Sequence, residues 1–124
     1  MRTNYTNKKL IYPELSYAIT GLMFGIHNLL GRFEKERTYS VAFERALRNK
    51  DLSFTKESRI GDDLAVYQPD FIIDNKIIVE IKAKQFVMKE DYAQILRYLR
   101  FTNKKLGLLV NFRNRFLKPK RIAN

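Results

Sequence analysis

The chain has 124 residues, with 24 Lys and Arg against 13 Asp and Glu, a formal charge of +11, and no cysteine. Without thiols there is neither a disulfide scaffold nor a thiolate metal site, which suits a reducing cytoplasm. At 45% hydrophobic residues the length supports one core, and the cationic surplus points to nucleic acid or an anionic membrane surface as partner.

Met1 to Lys9 are polar and basic with no secretory signal pattern, and residues 1–12 read as a flexible leader ahead of a single domain over 13–124. The longest apolar stretch, Tyr17 to Ile26, is interrupted by Thr20, Gly21 and Gly25 and is too short to span a bilayer. A helix is predicted from Pro13, where the missing N–H costs nothing, to Gly31. Leu15, Ile19, Leu22, Ile26 and Leu29 recur at helical spacing and form its expected apolar face. A second helix is predicted from near Thr38, with Tyr39, Phe43, Ala46 and Leu47 as its stripe. Residues 53–60 and 64–68 suggest one or two strands around a Gly61-Asp62-Asp63 turn. Two strands dominated by Ile and Val follow, Asp70 to Ile73 and Ile77 to Ala83, separated by Asp74-Asn75-Lys76. A helix from Lys89 to Asn103 turns Tyr92, Ile95, Leu96 and Leu99 inward, and Gly107 to Asn111 is an apolar strand. From Phe112 on, the chain reads as a basic tail. The expected plan is α–α–β–β–β–α–β, an α/β sandwich around a small mixed sheet.

Chemistry concentrates at Pro69-Asp70 and Glu80-Ile81-Lys82. Glu80 and Lys82, two apart on a strand, share a face. A two-residue turn at Asp74-Asn75 would pair Asp70 with Val79 and send Glu80 to the opposite side; a three-residue loop, or a bulge near Asp70, would bring Asp70 and Glu80 together. Together they would offer oxygen ligands to Mg²⁺ or Mn²⁺, with the Ile81 carbonyl as a further donor and Lys82 to hold or deprotonate a water. An E-x-K tripeptide by itself is a weak signal, but a carboxylate between Val79 and Ile81 is costly unless paired or metal-bound. His27, the only histidine, reads as a hydrogen-bonding stitch between a helix end and a loop.

The order helix, strands, Pro69-Asp70, Glu80-Ile81-Lys82, helix, strand resembles the PD-(D/E)xK nuclease superfamily and implies its restriction-endonuclease-like, three-layer α/β fold. More closely, the chain is similar to the GxxExxY proteins, through His27-Asn28-Leu29-Leu30-Gly31, Asp70-Phe71-Ile72-Ile73, Val79-Glu80-Ile81-Lys82-Ala83 and Gly107-Leu108-Leu109-Val110-Asn111-Phe112. Gln94 and Tyr98 look like the Q-x-x-x-Y element of related branches, which implies a catalytic Gln94 and a Tyr98 that meets nucleic acid. Counted from Gly31, the naming motif gives Glu34 followed by Arg37; aligned by the following helix, Glu44 takes the site position. Glu44 is the favoured candidate, against a plain ion pair with Arg48 one turn on. The resemblance implies a divalent-metal-dependent nuclease, with DNA as the expected substrate, and Arg113, Arg115, Lys118, Lys120 and Arg121 suit phosphate contacts. The competing readings are a catalytically inactive nucleic-acid-binding module of the same fold and an oligomeric interaction protein. A homodimer would give so small a chain more grip on a duplex.

Overall fold

A computed structural model describes residues 10–56 and 67–124. Residues 1–9 of the expected leader and the Gly61-Asp62-Asp63 turn lie outside the described residues. Helix α1 (Pro13–Leu30) begins at its proline and ends at Gly31, whose φ of 80° and N–H bond to the His27 carbonyl are those of a glycine stop. Helix α2 (Glu36–Asn49) starts two residues before the expected Thr38. Then come β1 (Phe54–Lys56), β2 (Phe71–Ile73), β3 (Ile77–Lys82), helix α3 (Lys89–Thr102), β4 (Leu106–Asn111) and β5 (Lys120–Ala123).

The five strands form one mixed sheet in sequential order. β3 and β4 are parallel, joined by α3 as the crossover, while the other neighbours run antiparallel. Strand alternation sorts the side chains into two layers. Phe71, Ile73, Ile77, Val79, Ile81, Leu106, Leu108 and Val110 face α1 and α2, meeting Ile19, Met23, Tyr39, Phe43 and Leu47. Ile78 and Leu109 face α3, meeting Ile95 and Leu99. The architecture is therefore the expected three-layer α/β sandwich, two helices on one face of the sheet and one on the other. Each of these fully buried aliphatic or aromatic side chains contributes roughly 1.5–3 kcal/mol of transfer free energy.

Three expectations change. The buried stripe of α1 runs through Ser16, Ile19, Met23 and Ile26, and Leu29 is 83% exposed. The buried stripe passes to Leu30, which packs on the core, and position 29 is turned away from it. The chain from Phe112 is not only a tail: it returns as β5, which pairs with β4 from Leu106↔Ala123 to Leu109↔Lys120. Between 53 and 68, the described strand is the three-residue β1, and Tyr67 and Gln68 are not in a strand.

Candidate active site

The hairpin between β2 and β3 decides where the carboxylates go. Asp74 and Asn75 have φ of 53° and 54°, and the Lys76 N–H donates to the Ile73 carbonyl at 2.9 Å. That is a two-residue turn of the I′ kind, built from residue types that tolerate positive φ. Yet Ile73 pairs with Ile77, not with Lys76, so Lys76 is an extra residue and the loop counts three. The register continues through Ile72↔Ile78 and Phe71↔Val79, which sets Asp70 opposite Glu80. Both share the face of Ile78, under α3.

The two carboxylates are held by short bonds. The Tyr67 hydroxyl donates to Glu80 Oε1 at 2.9 Å and the Asp70 N–H reaches the same oxygen at 3.2 Å. Asp70 Oδ2 accepts the Ile81 N–H at 2.7 Å. The Ile81 N–H thus faces β2, and in a strand the carbonyl of the same residue faces the same way. The register puts buried Pro69 opposite Ile81, and proline has no N–H to give that carbonyl. Pro69 ends the ladder beside the two carboxylates.

Lys82 closes the group, its Nζ 3.3 Å from Glu80 Oε2 and 3.7 Å from Asp91 Oδ1. Burial pushes the Glu80 carboxyl up, the charge of Asp70 pushes it further, and Lys82 and Tyr67 only partly offset this. Burial would favour neutral Lys82, but Glu80, Asp91 and Glu36 outweigh it and hold the ammonium above its ordinary value. Asp91 is desolvated too, yet bonds from Lys84 Nζ at 2.6 Å and from the Met88 N–H at 2.8 Å keep its carboxyl low. Asp91 stands in the first turn of α3, where the helix dipole also favours its charge. Asn111, in register with Lys82 on β4, ties down the following loop through Lys84: its Oδ1 accepts the Lys84 N–H and its Nδ2 donates to the Lys84 carbonyl.

Asp91, Gln94 and Tyr98 follow one another at spacings of three and four, along the side of α3 that meets the site. Gln94 and Tyr98 line a groove of about 470 Å³ with Tyr67, Gln68, Arg97 and Phe101. The Tyr67 and Tyr98 rings meet edge to face at 5.9 Å, so Tyr67 joins this groove to Glu80.

Other expected residues fall elsewhere. Glu44 is engaged by Arg48 at 2.8 Å and Lys56 at 2.9 Å, and the α2 carboxylate acting on Lys82 is Glu36. Glu34 is an exposed side chain in the α1–α2 connector. Arg121 is a fastener: its guanidinium bonds Ser16 Oγ at 2.7 Å and the Ile11 carbonyl at 2.6 Å, tying β5 to the start of α1. Arg113, Arg115 and Lys118 line one pocket, and Lys118 and Lys120 line a second with Tyr92 and Asn111. His27 Nε2 bonds the Asn114 carbonyl at 2.8 Å, the expected stitch, and must carry its proton on that nitrogen.

Sequence reasoning missed Tyr67, Glu36 and Asp91. Glu36 had a signal: with Tyr39 it makes a Glu-x-x-Tyr at the start of a helix. The Tyr39 hydroxyl donates to the Gly31 carbonyl at 2.6 Å and its ring stacks on Phe112 at 4.3 Å, which fixes the connector and hence Glu36.

The model of a family described as the PD-(D/E)XK nuclease superfamily matches residues 13–122. No curated protein and no solved structure matches the chain.

Proposed function

Because this chain belongs to the PD-(D/E)XK nuclease superfamily, we propose that the pocket of Asp70, Glu80 and Lys82 hydrolyses phosphodiester bonds, with Mg²⁺ or Mn²⁺ as cofactor and DNA as substrate. The observation that carries the reading is the register, which sets Asp70 and Glu80 face to face beside Lys82. Among the described residues no group of three or more His, Cys, Asp or Glu is gathered that could hold a metal ion, so a cation here would rest on a smaller set of protein donors. The donor set is two carboxylates and the Ile81 carbonyl, all hard oxygens, and Mg²⁺ commonly takes only one or two carboxylates. Burial and, after it, the charge of Asp70 lift Glu80, and a cation held by the two carboxylates would relieve the second of these. When bound, a divalent ion supplies positive charge against phosphate oxygens and acidifies water.

The chain's own residues do the rest. Asp70 and Glu80 would hold the ion, each fixed by a backbone N–H. Lys82, kept protonated by three carboxylates, donates to a water or a phosphate oxygen as negative charge builds on phosphorus. Glu36 and Asp91 position that ammonium without touching substrate. Gln94 can orient a phosphate or water through its amide, and Tyr98 offers a ring to a base. Within the superfamily we place the chain with the GxxExxY proteins, with Glu36 and Tyr39 as the motif's last two residues and Phe33 in the glycine's place.

The test is cleavage of plasmid and single-stranded DNA with Mg²⁺, Mn²⁺ or EDTA. Asp70→Ala and Lys82→Ala should each lower the rate by roughly 100-fold or more, and EDTA should abolish it. Unchanged cleavage in either variant would overturn the assigned roles; binding without products in any metal would identify the inactive module. Sedimentation with and without DNA decides whether a homodimer forms.

A further inference from the structure

At the same end of the sheet as Lys82, the α1–α2 connector meets the turn after β4. The meeting is reciprocal: Arg32 Nε donates to the Arg113 carbonyl at 2.8 Å, and Arg113 Nε donates to the Arg32 carbonyl at 3.1 Å. His27 bonding Asn114 reinforces it. These bonds use only the Nε of each guanidinium and leave both Nη groups for something else. Around the clasp lies a pocket of about 700 Å³ walled by Arg32, Phe33, Arg113, Arg115, Phe116 and Lys118.

Two features of this pocket have no internal purpose. Among the described residues, none of its four cations forms a salt bridge with a carboxylate. Its two phenyl rings are 74% and 71% exposed, so neither belongs to the core. Arg32 and Arg113 lie 4.6 and 5.7 Å from the Phe33 centroid, and Arg115 lies 5.4 Å from that of Phe116. Cations alone would suit the phosphates of any duplex. Exposed rings interleaved with guanidiniums suit bases that are out of their stack, because a flat ring covers an unpaired base freely, whereas entering a closed helix must first unstack a base step. The pocket also adjoins the reacting group: Arg113 lies two residues beyond Asn111, the register partner of Lys82.

We propose that this pocket captures an unpaired nucleic-acid strand, so that the site beside it acts on single-stranded ends or gaps and not on intact duplex. The proposal rests on the nuclease reading for its adjoining chemistry, but its test does not. Fluorescence anisotropy with one labelled oligonucleotide, presented single-stranded and as a blunt duplex in EDTA, measures binding with no cleavage possible. The single strand should bind the more tightly. The double variant Phe33→Ala/Phe116→Ala should weaken single-strand binding by roughly tenfold or more and duplex binding by less than about twofold. Phe33→Tyr/Phe116→Tyr, which keeps the rings, should restore single-strand binding. Equal loss on both ligands, or no loss on either, overturns the proposal. An absence of cleavage in every metal would overturn the nuclease reading and leave this measurement standing.

Discussion

Glu80 is the residue at which stability and chemistry pull apart. Its carboxyl is held above its ordinary 4.5 by burial and by Asp70, so the folded chain takes up that proton more readily than the unfolded one. The charge therefore destabilises the fold increasingly as pH rises from the ordinary value through the raised one, and fully above it. Glu80→Gln should melt higher than the parent near neutral pH, with the gap closing as pH falls through the raised value and closed below 4.5; thermal unfolding across pH measures it. Mg²⁺ or Mn²⁺ should raise the parent's Tm and leave Asp70→Ala unmoved. Lys82 follows the same direction in pH for the converse reason: its raised value means a stabilising charge, present below the ordinary 10.5 and lost as pH climbs through the folded value. Lys82→Met should cost roughly 3 kcal/mol near pH 7, since it strands buried carboxylates, and less in acid, where Glu80 is protonated. At this scale the sequence was informative for Asp70, Glu80 and Lys82, because a charge within an Ile/Val strand is conspicuous. It was silent on Tyr67, whose link to Glu80 spans 13 residues through a hairpin.

Among the elements, α3 sits close against β4. A Cβ at Gly107 would lie 2.7 Å from Ile95 Cγ2 and 3.0 Å from Ile78 Cγ1, so the helix rests where β4 has no side chain. Gly107→Ala should destabilise by about 1–3 kcal/mol through overpacking. The displaced α3 carries Asp91 and Gln94, so cleavage should fall more than Tm suggests. Arg121→Gln should loosen β5 from α1 by about 1–2 kcal/mol, with hydrogen exchange rising in β5 before the central strands. β5 escaped the sequence because only Ile122 of its four residues is even partly buried. An edge strand that contributes backbone bonds rather than core leaves no alternating pattern, and its Lys120 and Arg121 look like any basic tail. The central strands were legible for the converse reason, since both their faces are covered.

Over the whole molecule, the net charge of +11 implies association that weakens with salt. If four pocket cations meet phosphates of a single strand, log K against log salt should have a slope of about −3, roughly 0.7 for each contact. Arg115→Gln/Lys118→Gln should flatten that slope by roughly half, as titrations between low and moderate salt would show. An α/β sandwich around a mixed sheet followed from periodicity and its three layers from the superfamily resemblance, while the orientation of Asp70 toward Glu80 hung on one loop residue, Lys76, that composition cannot place. No helix among the described residues is long and apolar enough to cross a membrane.

The paired backbone bonds of Arg32 and Arg113 make an exchange of equal charge anything but neutral. Lysine carries one nitrogen where arginine carries three, so at either position the single ammonium would have to sit at the backbone carbonyl and would lose the planar fork that reaches beyond it. A lysine that keeps its hold on the main chain would leave the neighbourhood rigid but with a shorter reach toward anions; one that lets go would slacken the bend that leads into Glu36.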